Sequence, residues 1–171
     1  MRIPDKLVGF NVFTADNRLL GVADITLPSI EYMTETLSGA GIAGETETPA
    51  LGQVSPMSVQ ISMRTQHTEA RKLLELRGQQ IDVRGSLQEQ DSSTGEIRTY
   101  PCRVSMFVLP KTYETGKFEV GSTTDTSIES EVTYMRMWID NQEIVEIDKF
   151  NYICRINGKD YLEEVRAQIG M

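Results

Sequence analysis

Met-Ser-Val-Gln-Ile-Ser-Met-Arg is the sequence of residues 57–64, and this stretch decides the fold class of the chain. Apolar and polar residues alternate along it with a period of two, which is the side-chain period of a β-strand. All the apolar side chains therefore fall on one face and all the polar ones on the other. We predict a strand with one face on a core.

Three later segments carry the same kind of pattern. Residues 81–88 repeat the alternation, and residues 100–108 place apolar side chains opposite polar ones. Residues 132–139 are apolar or aromatic on both faces, which indicates a strand that is covered on both sides. We expect this last strand to be the most buried of the set.

Turn-forming residues separate these segments and predict hairpins or strand junctions. An N-terminal hairpin is also expected, with residues 8–13 and 18–25 on either side of Asp16-Asn17. The other turn signals are Ser93-Thr94-Gly95, Asp140-Asn141 and Asn157-Gly158.

Two segments have the periodicity of helices. Residues 68–77 have Thr68 as a potential N-cap and Gly78 as a stop, giving about three turns. Residues 160–169 begin at an acidic residue and precede a glycine. An apolar stripe that should dock onto a sheet consists of Tyr161, Leu162, Val165 and Ile169.

Together these patterns predict a mainly β protein: a β-sandwich or barrel subunit with one internal helix and a C-terminal helix. The length of 171 residues fits a single domain spanning residues 1–171. Two long segments, residues 38–56 and 110–130, are rich in Gly, Thr, Ser and Pro, and we expect them to be irregular loops. Loops of this length in a compact domain are usually functional or disordered, and contact with another copy would explain both.

The composition excludes several classes of protein. Hydrophobic residues make up 39% and charged residues 25%, as in ordinary globular proteins. The net charge of −8 argues against binding to a phosphate backbone, which requires clustered cations. The N-terminus lacks a secretory pattern, and no apolar run is long enough for a membrane helix, so we expect synthesis in the cytosol without a membrane anchor. Cys102 and Cys154 lie far apart and are expected to be buried free thiols.

Candidate catalytic and cofactor motifs fail on their context. Gly39-Ala40-Gly41-Ile42-Ala43-Gly44 matches a dinucleotide-binding string, but the strand, helix and later acidic residue of that motif are missing. The single histidine, His67, has no metal-ligand or triad partner at a suitable spacing. We therefore expect no catalytic residue, cofactor or metal.

The polar faces of the predicted strands are more informative. They combine small hydroxyl and amide side chains with a few charges, as expected either for a solvent-facing sheet or for the wall of a water-filled channel built from several copies. Under the second interpretation, the candidate lumen-facing residues are Ser58, Gln60, Ser62, Arg64, Arg84, Arg103 and Ser105.

Several blocks of the chain, in the same order, resemble the major tail tube protein of contractile-tailed phages, the P2-like family. They are Asn-Arg-Leu-Leu-Gly-Val-Ala-Asp at 17–24, Met-Thr-Glu-Thr-Leu-Ser-Gly-Ala-Gly-Ile-Ala-Gly-Glu at 33–45, Glu-Val-Thr-Tyr-Met-Arg-Met-Trp-Ile-Asp at 131–140, Glu-Ile-Asp-Lys at 146–149 and Asn-Gly-Lys-Asp-Tyr-Leu at 157–162. The likeness covers nearly the whole chain.

This resemblance implies a structural, non-enzymatic protein whose copies form hexameric rings that stack into a tube. Each copy would give strands to a continuous β-barrel around a lumen. The implied partners are further copies, the tail sheath protein, the tape-measure protein, and the baseplate and tail-terminator proteins. DNA would pass through without specific binding, and the protein would reside in the virion tail after assembly in the host cytoplasm.

The two long segments would then bridge neighbouring subunits or successive rings. The candidate contact residues in them are Gly39, Gly41, Gly44, Glu45, Glu47, Thr112, Glu114, Lys117, Glu119 and Asp125.

Two other functions remain open from the sequence. One is the tube of a tail-like bacteriocin or of another contractile injection or secretion system, which would use related architecture with another cargo. The other is a monomeric β-sandwich binding module, which would expose aromatic residues along a groove. Acidic residues are concentrated in residues 16–47 and 110–150, each with a net charge of −5. In a tube, that charge would discourage DNA from adhering to the wall.

Overall fold

A computed structural model describes residues 1–21 and 24–171 of the chain, and strands dominate it, which confirms the mainly β class. The described residues also form a short 3₁₀ helix, Glu69–Leu74, and a C-terminal helix α1, Glu163–Ile169. The strands are β1 Arg2–Thr14, β2 Leu19–Leu20, β3 Asp24–Thr26, β4 Tyr32–Ser38, β5 Glu45–Val54, β6 Ser58–Met63, β7 Gln79–Asp91, β8 Ile97–Glu114, β9 Thr126–Ile139, β10 Gln142–Asp148, β11 Ile153–Ile156 and β12 Lys159–Asp160.

The long strand β9 organises the main antiparallel sheet. One edge of β9 pairs with β8 along most of its length, and the other edge pairs first with β6 and then with β10. From β8 the sheet continues through β7 to β1 and β2, and from β10 it continues to β11 and β12. Strands β4 and β5 form a separate two-stranded sheet.

One face of the main sheet encloses the hydrophobic core. A continuous row of apolar side chains crosses six strands at matching register positions: Val12, Val83, Val104, Met137, Val145 and Ile156. Val59 and Ile61 of β6 belong to the same buried cluster, so the sheet folds over on itself around a shared core. The stretch 57–64 thus forms the predicted strand, with its apolar face inward.

Most of the predicted strands and turns are confirmed. Segments 81–88, 100–108 and 132–139 lie within β7, β8 and β9, and no residue of β9 is exposed. The Asp140-Asn141 and Asn157-Gly158 turns join paired strands, with the positive φ angles that such tight turns require.

The predicted N-terminal hairpin is only partly right. Leu19 and Leu20 pair with β1, as expected, but β3, which contains Ile25, pairs with β6 instead. Residues 22 and 23 of the predicted second strand lie outside the described part of the chain. The short turn after Thr14 therefore supports only two paired residues in the second strand.

Both helices are shorter than predicted. The first is a 3₁₀ helix, and the Thr68 side chain makes no capping hydrogen bond to it. The second begins only at Glu163, because Asp160 belongs to β12 and its carboxylate accepts a hydrogen bond from the Leu162 backbone N–H at 3.0 Å. Its predicted apolar stripe is also wrong, since Leu162 is buried but Ile169 is exposed.

The two segments expected to be irregular are largely strands. Residues 45–54 of the first form β5, which leaves only 39–44 as a turn. In the second, β8 continues to Glu114 and β9 begins at Thr126, so the irregular part is residues 115–125. The polar composition of β5 and of the end of β8 reflects exposed strand residues, whereas Thr126, Ser127 and Ser130 at the start of β9 are small polar residues that are buried.

Candidate assembly surfaces

The hairpin formed by β4 and β5 extends away from the core. Every residue of β4 is exposed, and most of β5 is exposed as well. Within the described residues, each of the two strands pairs only with the other, so both outer edges carry free backbone groups. A lone two-stranded hairpin is marginally stable in water, and open edges favour pairing with another chain.

The two faces of this hairpin differ in chemistry. Leu37 pairs with Thr46 and Glu35 with Thr48, and Met33 lies on the same face of β4, so this face combines two apolar side chains with a carboxylate and hydroxyls. The opposite face pairs Thr36 with Glu47 and Ser38 with Glu45, which gives hydroxyls and carboxylates. The sequence contains no Lys or Arg between residues 18 and 64, so the hairpin supplies no cation to balance these acids.

The base of the hairpin is held in place by two contacts. The Ser55 backbone N–H donates a hydrogen bond to the Glu31 carbonyl oxygen at 2.8 Å. Gly52 has φ +64°, and a Cβ there would lie 2.5 to 2.8 Å from the Leu162 side chain. Glycine at this position therefore lets the buried Leu162 pack directly against the hairpin backbone.

A second extension, the arm, consists of residues 2–9 of β1, 86–91 of β7 and 97–101 of β8. None of these residues is buried, and Leu7 and Ile97 are large exposed apolar side chains. In the described part of the chain, β1 pairs on its outer side with β2 only at Val12 and Phe13. The outer edge of residues 2–9 is therefore open, like the hairpin edges.

The side of the main sheet opposite the core, where β7 to β11 lie, carries a network of ion pairs that we call the charged face. Asp82 is at its centre: its side chain is only 8% exposed and accepts hydrogen bonds from Arg84 at 2.8 Å, Arg103 at 2.9 Å and Ser105. Burial alone would raise the pKa of Asp82, but these hydrogen bonds outweigh it and hold the pKa below the usual value.

The network continues across the neighbouring strands. Arg136 and Arg155 each form ion pairs with both Glu143 and Glu146. Burial, followed by the Glu146 carboxylate, raises the pKa of Tyr134, whose hydroxyl donates a hydrogen bond to Glu146 at 3.1 Å. These charges are thus satisfied within the chain, and the sequence alone did not reveal the network because its partners meet only through strand register.

The candidate lumen-facing residues form two separate groups in the structure. All of them lie on strands or at strand ends, next to residues whose apolar side chains point into the core. Arg84, Arg103 and Ser105 belong to the charged face, and Ser105 is buried beneath Asp82 rather than presented to solvent. The second group lies around β6 and the start of β9, beside Asp24, Glu114 and Ser127, and consists of Ser58, Gln60, Ser62 and Arg64.

We predict that replacing Asp82 with Asn lowers the free energy of unfolding at pH 7 by about 1–3 kcal/mol, because three donors lose a buried acceptor charge. The folded-state pKa of Asp82 is depressed, so its contribution is complete above the unfolded-state pKa and is lost as the pH falls through the folded-state value. Urea unfolding at pH 7 and at about pH 3 should show the difference between the variant and the wild type shrinking in acid. An undiminished difference in acid would contradict the role of the charge.

The loop of residues 115–125, which we call the knob loop, is closed by backbone hydrogen bonds. The Lys117 N–H donates to the Thr124 carbonyl oxygen at 2.9 Å, and the Thr124 N–H donates to the Arg64 carbonyl oxygen at 2.8 Å. Gly116 has φ +76°, and a side chain there would collide with the Thr124 carbonyl. The loop presents Phe118 to solvent.

The predicted contact residues lie on these exposed elements. Gly39, Gly41 and Gly44 form the turn at the tip of the hairpin, where all three have positive φ and no atom lies near the position of an added Cβ. The rest lie on β5, at the end of β8 and on the knob loop: Glu45, Glu47, Thr112, Glu114, Lys117, Glu119 and Asp125.

The remaining sequence motifs do not assemble into a site. The glycine string at 39–44 connects two exposed strands rather than a strand and a helix. Across residues 1–21 and 24–171, no group of His, Cys, Asp and Glu side chains has the arrangement of a metal site. None of the helices described for these residues is long and apolar enough to span a membrane.

The sequence matches the family described as Phage tail tube protein FII over residues 4–170. It is also 32% identical to the tail tube protein of Escherichia phage P2, in an alignment of 176 positions that covers 100% of both chains.

The fold is similar to that of solved proteins from contractile assemblies. A chain of the sheath/tube terminator of an extracellular contractile injection system has a TM-score of 0.57 and 14% identity, covering 80% of this chain and 97% of that one. A chain of the sheath-tube complex of such a system has a TM-score of 0.54 and 14% identity, with coverage of 76% and 88%. At this identity, the likeness shows a common fold.

Proposed function

The chain belongs to the phage tail tube protein FII family, and on that basis we propose that its copies close into hexameric rings that stack into the inner tube of a contractile phage tail. The whole chain, residues 1–171, acts as one tail-tube domain in this proposal. Its role is structural, with no enzymatic step.

The observation that carries this proposal is the pair of extensions with open strand edges. The β4–β5 hairpin and the arm expose backbone groups and apolar side chains such as Leu7 and Leu37. Strand edges of this kind are usually covered in stable proteins. In a closed ring or a stack, the next copy covers them, and the continuous hydrogen bonding makes the tube stiff.

We infer that the lumen is lined by the face around β6. Gln60 and Ser62 lie there beside the carboxylates of Asp24 and Glu114. Among the described residues that line this patch, carboxylates outnumber the one cation, Arg64, so the wall is acidic on balance; it repels the DNA backbone and lets it pass without adhesion. The charged face should also bind DNA weakly, because Arg84 and Arg103 already form ion pairs with Asp82.

The hairpin and the knob loop bridge neighbouring subunits or successive rings in this proposal. The glycines at 39, 41 and 44 give the hairpin tip a tight turn, and Glu45 and Glu47 place acids on one of its faces. The remaining contact residues are Thr112, Glu114, Lys117, Glu119 and Asp125.

The partners that we propose are those of a contractile tail. The solved chains of similar fold come from sheath-tube, terminator and baseplate assemblies, which supports a sheath outside the tube with a terminator and a baseplate at its ends. A tape-measure protein and DNA would occupy the lumen in turn. The protein would be assembled in the host cytoplasm and remain in the virion tail.

The second candidate is the tube of a contractile injection system with another cargo. It is favoured by the fold, because the solved chains of similar fold include members of an extracellular contractile injection system. The sequence favours the phage, since identity is 32% to the phage P2 protein and 14% to those chains. Capsid and terminase genes next to a sheath gene would identify a phage.

Assembly of the purified chain tests the proposal, with a Gln60→Cys variant reporting the lumen. We expect sedimentation to show large polymers above a critical concentration, and a bulky thiol reagent to label the variant in the subunit but only slowly in closed tubes. The same Gln→Cys substitution at Gln168, exposed on α1 and outside the proposed lumen, is the control for access. Sedimentation as a monomer at all concentrations would contradict the tube, and rapid labelling of Gln60→Cys in tubes would contradict the lumen.

A further inference from the structure

Phe118 is a large apolar side chain that the described part of the chain leaves almost fully exposed. It is 87% exposed, although the knob loop that carries it is closed by the hydrogen bonds of Lys117 and Thr124. A large aromatic group held in water by an ordered loop loses the free energy that its burial would provide. This suggests that Phe118 is buried in the assembled state.

An apolar cleft of matching size lies at the base of the hairpin. It has a volume of about 210 Å³ and lies between β5 and the β11–β12 region, with Tyr32, Pro49, Leu51, Cys154 and Tyr161 among its lining residues. A cavity of roughly 150 Å³ lined by apolar side chains can hold a benzene molecule. The cleft is therefore large enough for the phenyl ring of Phe118.

Phe118 cannot reach the cleft of its own chain. The knob loop is tied to Arg64, next to the start of β9 at Thr126. Cys154 lines the cleft and pairs with Ile147 of β10, which in turn pairs with Met135 of β9. The cleft therefore lies at the height of Met135 in the sheet. Met135 lies nine residues along β9 from Thr126, which corresponds to ~30 Å at the rise of a strand.

The charges beside the two features are complementary. Glu119 follows Phe118, and within the described residues its carboxylate forms one ion pair, with Lys117 at 3.4 Å on an exposed surface. Lys159 lies at the cleft with its Nζ 5.0 Å from the centre of the Tyr161 ring, and no carboxylate in the described chain forms an ion pair with it. The knob loop thus carries an acidic side chain beside Phe118, and the cleft has a basic side chain nearby, so the two surfaces have opposite charges.

We propose that Phe118 of one copy inserts into the apolar cleft of a second copy, with Glu119 next to Lys159. The inference rests on the proposed function, since it assigns the contact through which copies of the tube protein bind each other. Knob and cleft are different surfaces about 30 Å apart, so the contact is heterologous. Such contacts generate closed rings or open stacks rather than isolated dimers.

Substitutions at both surfaces test this contact in the full chain. We expect Phe118→Ala to raise the critical concentration for tube formation at least ~10-fold, while the thermal unfolding of the subunit stays unchanged because Phe118 is exposed. Glu119→Lys and Lys159→Glu should each weaken assembly, and the double variant should recover most of the loss. Normal assembly of Phe118→Ala, or no recovery in the double variant, would overturn the contact.

A cross-link identifies the partner directly. A small fraction of Phe118→Cys protein, also carrying Cys102→Ser, is incorporated into tubes of Leu51→Cys protein and treated with a short bifunctional thiol reagent. Leu51 lines the cleft and is exposed, whereas the Cys154 thiol is buried. We expect covalent dimers that disappear when the surrounding copies keep Leu51. Tubes that form but give no such dimers would overturn the contact and leave the tube function standing, whereas a wild-type chain that forms no tubes would overturn both.

Discussion

Replacing residues 34–50 with an Asn-Gly turn is expected to give a folded monomer that forms no tubes. The fold should persist because no residue of β4 is buried, and both the Ser55 to Glu31 hydrogen bond and the contact of Gly52 with Leu162 lie outside the excised segment. Assembly should fail because the hairpin supplies two open strand edges and the exposed side chain of Leu37, which has no core to pack against in the described part of the chain. Circular dichroism, thermal unfolding and sedimentation would measure both properties.

Two point variants separate the faces of the hairpin. Leu37→Asp should impair tube formation because it replaces an exposed apolar side chain with a charge, whereas Thr36→Asn on the opposite face should assemble nearly as well as the wild type. Both side chains are exposed in the subunit, so neither should alter its unfolding. Tubes formed by the truncated chain would show that the hairpin is dispensable.

Replacing Met106 with Ala is expected to lower the free energy of unfolding of the subunit by about 2–5 kcal/mol. Met106 is fully buried in the centre of the sheet, opposite Ile81 on β7 and Met135 on β9, so the truncation leaves a cavity that three strands cannot easily close. Urea unfolding at pH 7 would measure the loss.

Met33→Ala is the matched control for that change. Met33 is exposed on the hairpin, so the same substitution should alter the free energy of unfolding by less than about 0.5 kcal/mol. A similar loss for both variants, or a loss below about 1 kcal/mol for Met106→Ala, would contradict the assignment of the core.

The strands that bury one face could be predicted because their apolar and polar residues alternate, and the apolar ones face the core. Residues 57–64 and 100–108 carry that alternation and form β6 and part of β8. The β4–β5 hairpin could not be recognised in the same way. Its strands have no core to face within the chain, and Pro49 and Gly52 interrupt β5, so the segment has the composition of a loop.

The candidate sites were predictable only in part. The polar faces were visible in the alternation, but the grouping of Arg84 and Arg103 around Asp82 depends on strand register, which arises from pairing between distant residues. Phe118 was not recognised, because a single aromatic residue in a polar stretch has no periodicity. A signal was present in the flanking glycines, at 116 and 121, which allow a tight loop.

Electron microscopy of the purified chain at high concentration tests most directly whether this protein builds a tube. We predict hollow tubes made of stacked rings, with six subunits in each ring and an open lumen along the axis. Particles that remain monomeric under these conditions, or that assemble without a lumen, would contradict it.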